Sequence, residues 1–251
     1  MPKSIRLLIK TLVSLLLLIS IEARGDQILV AAASNFSDAI KAVVKDFEQQ
    51  SEHRVTLILG STGKHYAQII NGAPFDAFFA ADSKRPALLE QQKIALDGSR
   101  FTYAQGKVVL WSPKQHANIV DAQILNTGEF RHLAIANPKL APYGKAAQQF
   151  LQARQLWQPL IRKMVRGENI AQTYQFVKSG NAELGFVAYS QVKRPGHSLE
   201  GSMWEVPQSL YTPIKQQAVV LTDKPSVKQF IDFIRSPTAT AIINAHGYTT
   251  P

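Results

Sequence analysis

Three short stretches of this chain carry residues suited to holding an anion without any fixed positive charge. Ile28-Leu29-Val30-Ala31-Ala32-Ala33 runs into Ser34-Asn35, and Val55-Thr56-Leu57-Ile58-Leu59 runs into Gly60-Ser61-Thr62-Gly63. Leu133-Ala134-Ile135-Ala136 leads through Asn137-Pro138 to Pro142-Tyr143-Gly144. Each reads as a buried strand that feeds a hydroxyl- or amide-bearing helix start. The first N–H groups of a helix have no partner inside it, and its N-terminal end is the positive pole of its dipole. Such an end attracts oxyanions. Any one of these sites is explained equally well by ordinary capping, because Ser, Thr, Asn and Asp are the preferred caps. It is their repetition that points to a cleft into which several helix starts converge.

Other chemistries find less support. The chain has no cysteine, so disulfides, thiolate metal sites, Cys nucleophiles and lipid attachment through an N-terminal Cys are excluded. Its six histidines show no paired spacing for a metal. Ser61-Thr62-Gly63-Lys64 fits Ser-x-x-Lys, the nucleophile motif of penicillin-recognising enzymes. That class also needs Ser-x-Asn and Lys-Thr/Ser-Gly on separate elements. Here Ser179-Gly180-Asn181 and Lys178-Ser179-Gly180 overlap, and one serine would have to serve both. A phosphate loop fails too, because Ile58 stands where its first glycine belongs and His65 follows Lys64 where Ser or Thr is needed.

The elements that must position these residues alternate between strand and helix, the pattern of an α/β fold with largely parallel sheets. Phe36, Ala39, Ile40, Val43 and Phe47 form one helical face, and Tyr66, Ile69 and Ile70 mark a shorter helix stopped by Asn71-Gly72. Phe75–Ala81 reads as a buried strand, with Asp82 free to cap the helix after it. Further strands are expected over 107–111, 184–189 and 218–221, and helices around 144–155, 170–179 and 225–235, the last closing the chain. Residues 193–213, rich in Pro, Gly and Ser, read as connecting structure.

The N-terminus has the form of a secretory signal peptide. Lys3, Arg6 and Lys10 precede the apolar run Leu12–Ile19, which is too short to span a bilayer as a mature helix. Small residues offer cleavage after Ala23 or Gly25. Removing residues 1–25 lowers the formal charge from +10 to +7 over 226 residues. The cations are scattered in runs of at most two, without interleaved aromatics, so nucleic-acid binding is not expected.

Taken in order, Ala31-Ala32-Ala33-Ser34-Asn35-Phe36, Gly60-Ser61-Thr62-Gly63-Lys64, Gly72-Ala73-Pro74-Phe75-Asp76-Ala77-Phe78-Phe79-Ala80-Ala81-Asp82, Pro142-Tyr143-Gly144, Gly185-Phe186-Val187-Ala188-Tyr189 and His246-Gly247-Tyr248 resemble the molybdate-binding periplasmic proteins of molybdenum ABC transporters. The resemblance covers essentially the whole mature chain. It implies a two-lobed periplasmic binding protein fold, each lobe a mostly parallel sheet flanked by helices, joined by two crossover strands. Lobe one would hold 26–104 and 210–251, and lobe two 105–209, with Gly106 and Pro207–Pro213 near the crossings.

The resemblance also implies ligand-binding residues. Ser34 would give its hydroxyl and N–H, Asn35 an N–H, Thr62 a hydroxyl with Ser61 as its neighbour, Tyr143 a lobe-two donor, and Ile170 an N–H. It further implies a monomer without cofactor, bare metal ion or catalysis, which passes molybdate or tungstate to an inner-membrane ABC permease. The alternative is another tetrahedral oxyanion, sulfate or phosphate. Part of the family has a small residue at the position of Tyr143 and a tyrosine donor at that of Ala188, so the Tyr143 hydroxyl is expected to substitute from the other side. Tyr189, one residue out of register on its strand, is expected to pack in the core instead.

Overall fold

The computed structural model describes residues 25–115 and 117–251, so the expected leader lies outside them apart from Gly25. In chain order the first run of elements is β1 (Gln27–Ala33), α1 (Ser37–Gln50), β2 (Arg54–Gly60), α2 (Thr62–Ile70), β3 (Ala77–Ala80), α3 (Lys84–Gln91) and β4 (Phe101–Gly106). The second run is β5 (Val108–Ser112), α4 (Gln123–Thr127), β6 (Leu133–Ala136), α5 (Pro142–Ala153), α6 (Trp157–Leu160), β7 (Met164–Gly167), α7 (Ile170–Lys178), β8 (Leu184–Ala188), α8 (Tyr189–Val192) and β9 (Ser202–Glu205). The chain then returns through β10 (Ile214–Val220), α9 (Pro225–Ile234) and α10 (Pro237–Ala245).

These strands form two five-stranded sheets, ordered β2-β1-β3-β10-β4 and β7-β6-β8-β5-β9. Both have the same plan. β1 runs parallel to β2 and β3, while β10 is antiparallel to both of its neighbours. Likewise β6 is parallel to β7 and β8, while β5 is antiparallel to β8 and β9. Four strands of each sheet therefore share a direction and one opposes them. The opposed strand is the one that has just arrived from the other sheet: Lys107 alone separates β4 from β5, and residues 206–213 link β9 to β10.

Packing follows the apolar faces. Phe36, Ala39, Ile40, Val43 and Phe47 are buried as expected and meet Phe79, Tyr103 and Phe230 in the core of lobe one. The matching core of lobe two gathers Leu110, Ile135, Tyr143, Phe150 and Phe186. On α2 the inward stripe differs from expectation. Thr62, His65 and Ile69 are buried at i, i+3 and i+7, while Ile70 is 45% exposed.

The structure adds elements that the apolar pattern does not announce. β4 mixes Thr and Gln with its aromatics, β7 is a short edge strand of sequence MVRG, and β9 lies inside the segment read as connection. α10 follows α9, so the chain does not close near 235. Its start is conventional: Ser236 accepts a hydrogen bond from the Ala239 N–H and Pro237 fills the first position. Tyr189 also differs, since it opens α8 and is not the last residue of β8.

Candidate functional site

The parallel strands of both sheets end at the gap between the lobes, the location where open α/β sheets bind ligands. Beyond β1 the chain turns through a 3₁₀ segment, Ser34–Phe36, before α1. Beyond β2, Ser61 caps α2 by accepting the Lys64 N–H at 3.3 Å. In lobe two Asn169 caps α7 the same way, its Oδ1 accepting the Gln172 N–H at 3.0 Å. Pro142 opens α5 and puts Tyr143 at its second position. These starts border a small cavity lined by Ser34, Asn35, Gly60, Ser61 and Thr62 from lobe one and by Ala141, Pro142, Tyr143, Asn169 and Ile170 from lobe two, among others. Among the described residues, no charged side chain lines it.

All five residues singled out from the sequence meet there, but they present different groups. Ser34 is buried, and its Oγ accepts the Ala171 N–H from across the cleft at 3.4 Å. Thr62 Oγ1 accepts the Ala81 N–H at 3.0 Å, which leaves its hydroxyl proton to donate elsewhere. Asn35 turns its side chain away from the cavity. Its Nδ2 donates to Gln216 Oε1 at 2.7 Å and to the Tyr248 hydroxyl at 3.0 Å. Tyr248 donates in turn to the Asn35 carbonyl at 2.6 Å, and the Ser190 hydroxyl of lobe two reaches the same carbonyl at 3.1 Å. Ile170 is the first residue of α7, so its N–H has no partner within the helix.

Tyr143 departs from expectation in where its hydroxyl goes. Gln216 Nε2 donates to that hydroxyl at 3.5 Å, and a Cβ on Gly106 would lie 1.9 Å from it. Neither Gly106 nor Gln216 lines the cavity. The glycine at the end of β4 is what lets the phenol approach so closely. Burial pushes the hydroxyls of Tyr103, Tyr143 and Tyr248 up from their ordinary value, so all three remain proton donors at neutral pH. Tyr189 does not line the cavity. It is partly buried against Gly247, with the Lys107 ammonium 5.9 Å from its ring.

Several bonds tie the lobes across the cleft. The Gly63 N–H donates to the Leu140 carbonyl at 2.8 Å, Arg85 Nη2 donates to the Lys139 carbonyl at 3.0 Å, and Lys64 pairs with Glu168 at 3.3 Å. The Lys64 ammonium lies with Glu168, and Ser61 Oγ accepts from the Lys64 main chain. Beside the cavity opens a larger groove of about 720 Å³, bordered by Lys84, Arg85, Lys139, Lys145 and Lys215.

The sequence reading missed two features: the network Asn35–Gln216–Tyr248–Ser190, and His65. The network joins residues up to 213 positions apart; Asn35 and Tyr248 stood in recognisable motifs, but nothing local signalled Gln216, Ser190 or the bonds among them. His65 lies just behind Gly60. Burial lowers its pKa from 6.5, opposed by its contacts with Gln68 and the Ala32 carbonyl.

Residues 28–249 match the family of bacterial extracellular solute-binding proteins. The chain belongs to that family. Among curated solute-binding proteins it is 47% identical to the molybdate-binding protein ModA of Azotobacter vinelandii, over 92% of this chain and 93% of the relative. It is 41% identical to ModA of Rhodobacter capsulatus, over 96% and 95%. Among solved structures, the periplasmic molybdate-binding protein of Azotobacter vinelandii superposes with a TM-score of 0.86 at 40% identity, over 89% of this chain and 99% of that one.

Proposed function

We propose that this solute-binding protein captures molybdate, and tungstate with it, between its lobes in the periplasm and delivers it to an inner-membrane ABC permease. It does so as a monomer, with one anion per chain and no catalysis. The observation that carries the reading is the small cavity where uncharged hydroxyls and helix starts of both lobes converge. Ser34 and Thr62 supply hydroxyl donors, and the N–H groups of Ser34, Asn35, Tyr143 and Ile170 supply the rest. Tyr143 acts through its main chain, since its hydroxyl lies against Gly106 and Gln216.

Charge cannot separate molybdate from sulfate, because both are tetrahedral dianions. Donor spacing can. A ring of donors fixed by two packed sheets and set for the larger anion leaves a smaller one with stretched bonds. Hydrogen bonds to a charged group contribute about 1.5–3 kcal/mol each, so poor geometry in two of them gives roughly two to four decades of preference. The test is calorimetric titration of the mature chain with molybdate, tungstate, sulfate and phosphate, each with and without a strong chelator. The expected result is one tight site for molybdate and tungstate, indifferent to chelator. A preference for sulfate or phosphate, or loss of binding with chelator, would falsify the reading.

A further inference from the structure

His65 is a buried imidazole beside the cavity that the donor set leaves unused. Its imidazole is 2% exposed and lies directly behind Gly60, which lines the cavity. A Cβ on Gly60 would come within 2.9 Å of His65 Nε2, so one residue's thickness of backbone separates the ring from the site. Nε2 lies 3.2 Å from the Ala32 carbonyl, and Nδ1 lies 3.1 Å from Gln68 Oε1. A carbonyl only accepts, so Nε2 carries a proton. The Gln68 amide can turn either its oxygen or its nitrogen to Nδ1, so it can serve a charged or a neutral ring.

We propose that His65 is a positioning residue of the anion site: it ties β1 to α2 beneath Gly60 and takes up a proton as the dianion binds. This rests on the oxyanion reading given above. Lobe two shows what a merely structural residue looks like at the matching place. There a Cβ on Gly167, the last residue of β7, would meet Thr173 Oγ1 at 2.6 Å, and the neutral threonine hydroxyl simply donates to the Asn169 carbonyl at 2.9 Å. The two helix starts are otherwise built alike, so the imidazole adds something that packing does not require: a charge that appears on demand.

The electrostatic surroundings leave the anion in control of that charge. β1 and β3, packed against α2, carry no charged side chain, and Phe75 and Phe78 meet the ring edge-on. From α3, Arg85 is paired with Asp82. Lys64 and Glu168, the charged groups acting on the ring, are paired with each other. A bound dianion is then the largest change in charge near His65, and it favours the imidazolium. Affinity therefore rises as pH falls from the pKa of the bound state towards the lower pKa of the free state.

The experiment is calorimetric titration of the wild-type chain with molybdate at about pH 6.5, in buffers of different ionisation enthalpy. The expected result is net uptake of roughly 0.3 to 1 proton per anion, with affinity about three- to tenfold higher at about pH 6 than at about pH 8. His65→Gln keeps a donor for the Ala32 carbonyl but cannot titrate. It should abolish the uptake and flatten the pH profile, with affinity within about threefold of wild type at high pH. If that variant does not fold, titration of the wild-type histidine ring protons decides instead. One histidine should rise by about one unit or more when molybdate is added. Molybdate binding without proton uptake, or uptake that survives in His65→Gln, overturns the proposal and leaves the oxyanion reading standing. Failure of the wild-type chain to bind molybdate, tungstate, sulfate or phosphate overturns both.

Discussion

At the scale of single residues, the proposed donors differ in how much of their chemistry is already committed. Ser34 Oγ makes only a long contact with the Ala171 N–H, so its proton is free for an anion. Ser34→Ala should cost about 1.5–3 kcal/mol of binding, one to two decades in affinity by calorimetry. Thr62→Val should lose a similar amount and also strand the buried Ala81 N–H, whereas Thr62→Ser should keep both bonds. Tyr143→Phe should leave affinity within about threefold, because the phenol is spent against Gly106 and Gln216. Tyr189→Phe should be equally silent. A tenfold loss on Tyr143→Phe, about 1.4 kcal/mol, would mean that its hydroxyl reaches the anion after all.

At the scale of elements, two carboxylates fasten strands in opposite lobes. Asp76 accepts from the Leu29 N–H at 2.8 Å, from Thr222 at 2.7 Å and from Lys224 at 2.8 Å, so it joins the entry of β3 to β1 and the end of β10. Burial works to raise its pKa, but these donors outweigh it and hold the carboxyl below 3.8. Glu183, ahead of β8, accepts from the His132 N–H at 2.9 Å and from Arg131 at 3.0 Å. Burial again opposes, yet its pKa falls to about 2. A depressed carboxylate stabilises the fold at pH above its unfolded value and loses that effect as pH falls through the folded one. Stability measured by urea unfolding should therefore decline below about pH 4.5, as both groups take up protons. Glu183→Gln should lower stability at neutral pH, by about 1 kcal/mol once solvent screening of the exposed Arg131 partner is allowed for, and make the acid limb shallower. An unchanged acid limb would mean that Glu183 is equally solvated in both states.

At the scale of the whole molecule, the site exists only where two lobes meet. The proposed donors, drawn from both lobes, would give the anion a differential affinity for the closed arrangement, so molybdate should contract the particle in small-angle scattering. Gly63 is a sensitive point of that closure. Its N–H donates to the Leu140 carbonyl, and a Cβ there would come within 3.0 Å of the Leu140 main chain. Gly63→Ala should raise the dissociation rate about tenfold, equivalent to about 1.4 kcal/mol lost from the closed state, and reduce the contraction. Wild-type kinetics in this variant would show that this contact is not part of closure. The groove lysines, Lys84, Lys139, Lys145 and Lys215, should act on capture. Raising salt should slow association, while dissociation from the enclosed site should change little.

The sequence by itself determined the strand-to-helix junctions, because apolar runs, caps and the Pro142 turn are local chemistry that acts within a few residues. The caps drew attention to Ser34, Asn35, Thr62 and Tyr143, and the family resemblance implied their roles and added Ile170. Tertiary structure decided what those residues do with their atoms. Asn35 and Tyr143 are both polar, yet Gln216 and Tyr248, from strands and turns far along the chain, claim the Asn35 amide, and Gly106 gives the Tyr143 phenol its berth. His65 carried no signal beyond its lack of metal spacing, because one-dimensional periodicity put Tyr66, Ile69 and Ile70 on the inward stripe. The helix instead turned the imidazole beneath Gly60, where only a residue without a side chain leaves room for it. Which face of a helix is buried depends on the sheet it lands on, and the partners of a buried polar group depend on strands brought together from the whole chain. Neither is written in local spacing.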